Sequence, residues 1–573
     1  MEATSNRYDV AILGGGLAGL TLALQLKRQR PETSIFVAEK RPGPAPEAAF
    51  KVGESTVEIS ADYFARVCDM KDHIEQDELF KAGLRFFFPA GDNSDITQRV
   101  EWGDSAFAPV PTYQLDRGRF ENELARRNVE AGIDLVQGAF VDEVELDGDQ
   151  HSVTIVQGGP GGDRSTITAR WVVDAAGRSF ILRNKLGLAK DVEHDINSAW
   201  WRVGNGLVDH EEWGAHDETW MARMERPGIR RYSTTHLAGE GYWVWLIPLA
   251  SNSHSIGIVA DPRFHPFERI STFEAALDWL HEFEPQLAKA MEERKDDIQD
   301  FLKIEKFSHG CERVFSPQRW AMVGEAGVFI DPLYSPGSDY IAMANTYVGD
   351  LIKRDLGGED ITARAEGYNR GFLFLFDLAL THVWTNHYQY FGDAEVFAAK
   401  VTYDYVVYWG VNAPRMYYDK LTDLEFTQAT LAQVQRSAQL AVRVQQLFRD
   451  WHAAGQPPNP TGIHAVTSKF PGMWDRLKEL KAGLDDETLL SRYTTNVDIL
   501  EGMAVMLFHK AAKRLPDGPP DPERKINPHA ISLHPERWEA DGLFDDNGLT
   551  LAEARQQSQG FEVMLLDELA VTA

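Results

Sequence analysis

The sequence predicts an α/β protein. It should contain a dinucleotide-binding domain, an antiparallel-sheet lobe inserted into it, and a mostly helical C-terminal region. Three observations lead there. A glycine motif near the N-terminus stands between a strand pattern and a helix pattern, strand-like segments cluster between residues 191 and 300, and helical periodicity dominates beyond about residue 340. The chain has 573 residues and 43% hydrophobic content, too much for a single compact unit, so associated lobes are expected. The expected spans are 1–190, completed by 300–350, for the nucleotide domain, 191–300 for the sheet lobe, and 351–573 for the helical region.

The first element, "YDVAILGGGLAGLTLALQLKRQRPETSIFVAEK", reads as strand, glycine turn, amphipathic helix and strand. Gly14, Gly16 and Gly19 form GxGxxG, and Glu39 ends the second strand. Such glycines permit a tight turn, close approach of the backbone to a pyrophosphate, and close helix-on-strand packing. The helix N-terminus then faces the phosphates, and the acid accepts from ribose hydroxyls. An acid at this position suits FAD or NAD over NADP.

Further along, "YQLDRGRFENELARR" opens an amphipathic helix with Arg117 and Phe120 at helical spacing. "VQGGPGGDRS" is a second glycine-rich stretch, but no helix pattern follows it, so it reads as a hairpin turn and no second nucleotide domain is visible. "WVVDAAGRSFILR" is a buried strand ending at Asp174, and "RWAMVGEAGVFIDPLYSPG" is another, ending at Gly324 and Glu325 before a glycine- and proline-containing loop. In the sheet lobe, "GYWVWLIP" sets Trp243 and Trp245 on one side of a strand, because residues i and i+2 share a face. The aromatic stretches beyond residue 370 read first as packed helical core, with a lined apolar chamber as the alternative.

Composition excludes several classes. A net charge of -29 argues against nucleic acid and against anionic membranes. No stretch is long and apolar enough to span a bilayer, since "GFLFLFDLAL" is short and carries Asp377. Two cysteines cannot make a disulfide framework, and the N-terminus lacks an apolar export segment, so a soluble cytoplasmic protein is expected. No metal site is expected.

The segments around Arg117, Asp174 and Glu325 resemble the flavin-contacting pieces of the glutathione-reductase-type, class A flavoprotein monooxygenase superfamily. That resemblance implies FAD, held by Gly14, Gly16, Gly19, Glu39, Lys51, Arg117, Asp174, Gly324 and Glu325. Glu325 stands where the superfamily usually has Asp. Four features resemble one branch, the flavin-dependent halogenases: "KVGEST", "LFKAGLRFFF" with Lys81 at the position of the active-site lysine, "WVWLIP" matching WxWxIP, and "FIDPLYSPG" with Phe329, Pro332, Ser335 and Gly337. The resemblance covers residues 1 to about 350. Phe80 and Phe86–Phe88 should bury Lys81 at least partly and lower its pKa.

The resemblance implies a mechanism. FADH2, supplied by a separate flavin reductase, reacts with O2 to a C4a-hydroperoxide, which oxidises chloride or bromide to hypohalous acid. Lys81 holds this oxidant by hydrogen bonding or as a haloamine and delivers it to a small electron-rich aromatic substrate, free or tethered to a carrier protein. Trp243 and Trp245 would wall flavin from substrate. Two departures follow from the loop. Tyr334 replaces the glutamate of tryptophan halogenases, which favours a phenolic or pyrrolic ring, and Pro336 lacks one of the two backbone N–H groups that the family offers to halide. The competing readings are an aromatic hydroxylase of the same fold and a flavoprotein that binds FAD without turnover.

Overall fold

The computed structural model describes residues 6–48, 51–159, 161–455, 457–466 and 471–558. The absence of an export segment was read partly from residues 1–5, which lie outside the described residues.

Arg7–Leu13 is a strand buried continuously from Val10 to Leu13, Leu17–Gln29 follows as a helix, and Ile35–Glu39 is a strand buried at all five positions. Near-continuous apolar runs of this kind belong in a parallel sheet covered on both faces. In that sheet the strands run 315–316, 320–322, 163–174, 7–13, 35–39 and 134–137. The four pairings from 320–322 to 134–137 are all parallel. Strands Ala139–Glu145 and His151–Gln157 extend it antiparallel from Asp163–Asp174. The glycine-rich stretch 156–165 is therefore a hairpin connection, as expected, although its Pro160 lies outside the described residues.

The second sheet has the order 298–304, 197–203, 254–260, 242–248, 234–239, 84–87, 101–103, 464–466. It draws strands from outside residues 191–300. Leu84–Phe87, buried at all four positions, pairs parallel with Thr234–Gly239, and His464–Val466 of the helical region pairs with Glu101–Gly103. The reason is physical: an isolated short hairpin cannot bury two apolar faces, so it joins a larger sheet.

Alternation along Tyr242–Pro248 splits this strand between two cores. Tyr242, Val244 and Leu246 pack with helices Phe273–Phe283 and Pro285–Glu293 around Trp201 and Trp279. Trp243, Trp245 and Ile247 face the other way, into the core shared with the nucleotide-binding sheet and the C-terminal helices. The C-terminal region is helical: Gly337–Leu356, Thr362–Ala379, Ala394–Val407, Leu431–Ala453 and Asp486–Ala511 are its long helices. Two π-helical turns, Leu380–Trp384 and Tyr408–Asn412, extend two of them. Among the described residues no helix is long and apolar enough to cross a membrane, and Cys68 and Cys311 are buried free thiols.

Candidate active site

The nucleotide end is built by close packing. A Cβ on Gly19 would lie 2.0 Å from the Gly14 carbonyl oxygen, and one on Gly14, whose φ is +114°, would lie 2.5 Å from that of Ala175. Only glycine fits either position. The helix Leu17–Gln29 has no side-chain cap at Gly16, so its first N–H groups are open to an anion. Two cations converge there. Lys51 Nζ stands 3.1 Å from where a Cβ of Gly16 would be, and Arg117 Nη1 stands 2.8 Å from the corresponding point on Gly53. Glu39 accepts a hydrogen bond from Gly15 N–H at 2.8 Å, which holds its carboxylate beside the turn. A turn with no room for a Cβ, an uncapped helix start, two cations and a carboxylate together fit the diphosphate and ribose of a dinucleotide.

Asp174 behaves differently from the expectation of direct cofactor contact. It is wholly buried and accepts from Ala176 N–H (3.0 Å) and Leu182 N–H (2.8 Å). Burial pushes its carboxyl up to about 6, against those bonds. Its work is to pin the turn after the strand. Gly324 takes φ +60°, and Glu325 is half-exposed and paired with Arg178 at 2.9 Å.

The loop 331–337 is tied down from several sides. Asp331 accepts from Leu333 N–H (2.8 Å), from Tyr388 Oη (2.8 Å), and pairs with His194 Nε2 at 2.7 Å. Tyr334 and Ser335 both lie in the left-handed region, with φ 69° and 60°. Consecutive non-glycine residues there cost backbone energy and mark a constrained loop. Tyr334 Oη donates to Asp404 Oδ2 at 3.1 Å, and the buried Lys400 donates to the same oxygen at 2.7 Å. Pro332 accepts from Ser335 N–H through its carbonyl, and Pro336 caps the helix that begins at Gly337.

Trp243 and Trp245 are both buried, with ring centroids 5.8 Å apart. Trp243 Nε1–H donates to Tyr388 Oη at 3.1 Å, so the indole is joined through Tyr388 to Asp331 and the loop. On its other side lies His236, at 5.2 Å, itself stacked on Phe86 at 4.3 Å. Trp245 donates to Ser255 Oγ, and a Cβ on Gly257 would fall 2.2 Å from its ring. Gly257 therefore makes room for the second indole, a role that its place in "SHSIGIVAD" did not announce.

Lys81 ends the strand Leu79–Lys81, which pairs with Thr112–Gln114. Alternation turns Phe80 outward, at 42% exposed, and Lys81 inward, at 3%. The lysine is thus deeper than its apolar sequence neighbours suggested. Its ammonium donates to Ser55 Oγ (2.9 Å) and to the Thr56 carbonyl (2.8 Å). Burial lowers its pKa to about 7, against the opposing pull of Glu58 and Asp339. The same charge helps, after burial, to hold His236 down at about 3.

Comparison with known proteins fits this geometry. A family profile described as FAD binding domain matches residues 7–256. The flavin-dependent halogenase chlA of Dictyostelium discoideum is 27% identical over 440 residues, covering 71% of this chain and 70% of that protein. A 1H-pyrrole-2-carbonyl-[peptidyl-carrier protein] chlorinase of Pseudomonas fluorescens is 26% identical, covering 60% of this chain and 76% of the relative. Among solved structures, the halogenase PltM with phloroglucinol and FAD superposes with a TM-score of 0.59 at 16% identity, over 87% of this chain and 96% of PltM.

The chain is similar to flavin-dependent halogenases over about seven tenths of its length.

It is accordingly an oxidoreductase with FAD as its cofactor. Several residues of this halogenase's site were missed in the sequence. Asp331, His194 and Tyr388 fix the loop, Glu58 and Asp339 act on Lys81, and Tyr408 hydrogen-bonds Asp339. Glu58 lies two residues after "VGEST" and Asp339 two residues after Gly337. A polar residue in the first turn of an otherwise buried helix was the available signal for both.

Proposed function

We propose that the protein installs chlorine or bromine on an electron-rich aromatic ring, phenolic or pyrrolic, through hypohalous acid held at Lys81. The observation that carries this reading is the buried amine of Lys81, held by Ser55 and Thr56, and it is supported by an indole, Trp243, that is hydrogen-bonded through Tyr388 to Asp331 at the root of the loop 331–337. Reduced FAD, bound across the glycine turn, supplies with O2 the two-electron oxidation of halide. Lys51 and Arg117 balance the diphosphate charge, Glu39 accepts from the ribose, and the loop from Pro332 to Gly337 lies against the flavin ring. Gly337 N–H, at the start of its helix, is left to hold the halide with Ser335, because Pro336 has no N–H to offer. Trp243 and Trp245 exclude the substrate from the flavin side, so only a small oxidant passes.

At Lys81 the ammonium donates to the hypohalous oxygen and weakens the bond to halogen. No second nucleotide domain was read in the sequence, so the reduced flavin comes from a separate reductase. Both free and carrier-tethered substrates have support. PltM is solved with phloroglucinol, whereas the pyrrole relatives act on rings carried by a peptidyl-carrier protein. The test is to mix protein, FAD, a flavin reductase, NADH, bromide and phloroglucinol, and to weigh the product by mass spectrometry. Added bromine is expected. Added oxygen would make the protein a hydroxylase, and an unchanged phenol with no turnover would make it a binding flavoprotein.

A further inference from the structure

The lysine pocket holds more ionisable groups than delivery alone needs. Glu58 opens the helix Glu58–Asp62 and is buried. Asp339 lies in the first turn of Gly337–Leu356, the helix that follows the flavin loop, and is 3% exposed. One carboxyl oxygen of Asp339 accepts from Ser60 N–H at 2.8 Å and the other from Tyr408 Oη at 2.5 Å. The same Tyr408 oxygen accepts from Ile59 N–H at 3.0 Å, and Tyr417 Oη donates to the Glu58 carbonyl at 3.0 Å. The π-helical turn at Tyr408 therefore clamps the Glu58 helix to the Asp339 helix, with Lys81 held to Ser55 and Thr56 at the mouth of the same segment. The segment that holds Lys81 is thus tied to the helix after the loop through the Asp339 carboxyl, with the buried Glu58 on that same segment.

Charge decides what such a cluster does. One amine and two carboxyls, all buried, cannot all be ionised cheaply, because the surplus negative charge has no water around it. The other titratable groups that face the cluster are His236, Tyr340, Tyr405, Tyr408 and Tyr417. They are uncharged at neutral pH, since burial pushes the imidazole down to about 3 and the phenols up. Burial likewise raises Glu58 and pushes Asp339 up to about 7. The balanced state is therefore an ammonium, one carboxylate and one carboxylic acid.

We propose that Glu58, sharing one proton with Asp339, is the positioning residue that keeps Lys81 charged and restores its proton after each halogen transfer. This rests on the halogenase reading above. In the transfer the carbon–halogen bond forms as the halogen–oxygen bond breaks. The leaving hydroxide takes a proton from Lys81 and becomes water, and the proton displaced from the ring returns to Lys81 through the carboxylate pair. Aromatic and hypohalous acid become haloaromatic and water, and the cluster ends as it began.

The test compares wild type with Glu58→Gln and Asp339→Asn, each first shown to bind FAD. Two readouts are taken across pH 5 to 10: the reactivity of Lys81 towards a trace of acetic anhydride, quantified by peptide mass spectrometry, and bromination of phloroglucinol alongside peroxide release. In Glu58→Gln the midpoint of Lys81 labelling should fall by about one pH unit, a roughly ten-fold rise in free amine below the midpoint. The bromination limb that reports Lys81 should move with it, while the pH profile of peroxide release stays in place. An unchanged labelling midpoint, or a peroxide profile that shifts together with bromination, would overturn the proposal. If the wild type brominates nothing, the halogenase reading falls, and the labelling arm still decides the proton sharing.

Discussion

Lys51 and Lys81 show what burial does to an amine. Lys51 has 44% of its side chain exposed, leans over the glycine turn and sits 3.5 Å from Glu121. Lys81 is 3% exposed, held by a serine hydroxyl and a backbone carbonyl, and its pKa is lowered to about 7. The first is a charge in contact with water, where each ion pair is worth little. The second is held against the cost of desolvation, and groups kept in that condition cluster where chemistry is done. Trp243 is joined through Tyr388 to Asp331, at the root of the loop 331–337.

The comparison can be broken first at the nucleotide end. Gly19→Ala forces a Cβ onto the Gly14 carbonyl at 2.0 Å, which backbone cannot yield cheaply. FAD affinity should fall by about 100-fold, roughly 3 kcal/mol, in a flavin fluorescence titration. Retained affinity would mean that the turn does not carry the diphosphate.

Lys81→Met tests the opposite end through stability. Replacing the buried amine by an apolar chain of similar length should stabilise the fold by on the order of 2 kcal/mol at neutral pH, with Glu58 and Asp339 free to protonate. The sign follows from linkage. The folded amine titrates near 7 and the unfolded one near 10.5, so between those values the unfolded chain holds a proton that the folded chain has lost. Wild-type stability therefore rises with pH across that window, and the advantage of the variant shrinks as pH approaches 10.5. Denaturant midpoints at pH 6.5 and 9.5 would show it; an equal difference at both would contradict the burial account.

Smaller effects sharpen the picture. Tyr388→Phe leaves Trp243 Nε1–H without its acceptor and removes one of the three donors to Asp331, at a cost of about 1–2 kcal/mol. It should raise the ratio of peroxide to product about three-fold by loosening the loop. Lys51→Met should weaken FAD binding by about five-fold, roughly 1 kcal/mol, with the effect fading at high salt, and leave the product ratio unchanged. A change in product ratio from Lys51 would place it on the delivery side after all.

What the sequence revealed follows the reach of each signal. The glycine turn was legible because its demand is steric and local. The shared face of Trp243 and Trp245 was legible because strand alternation is local too. The depth of Lys81 was only half legible: Phe80 was counted among the residues that bury it, yet the same alternation turns that ring into solvent. Glu58, Asp339 and Tyr408 come from three elements far apart in sequence, and nothing local states that they meet. The π-turn that presents Tyr408 has no compositional signature. That the aromatic-rich strand at 84–87 and the run at 464–466 join the second sheet was missed for a related reason, since short apolar runs do not say which sheet will take them.

The separation of oxidation from delivery is tested most directly by Lys81→Met in a reaction holding reductase, NADH, FAD, bromide and phloroglucinol. Bromophloroglucinol and hydrogen peroxide are measured in the same tube. The account predicts that brominated product falls by at least about 100-fold while peroxide release continues near the wild-type rate. Product formed at near wild-type rate, or product and peroxide lost together, would contradict it.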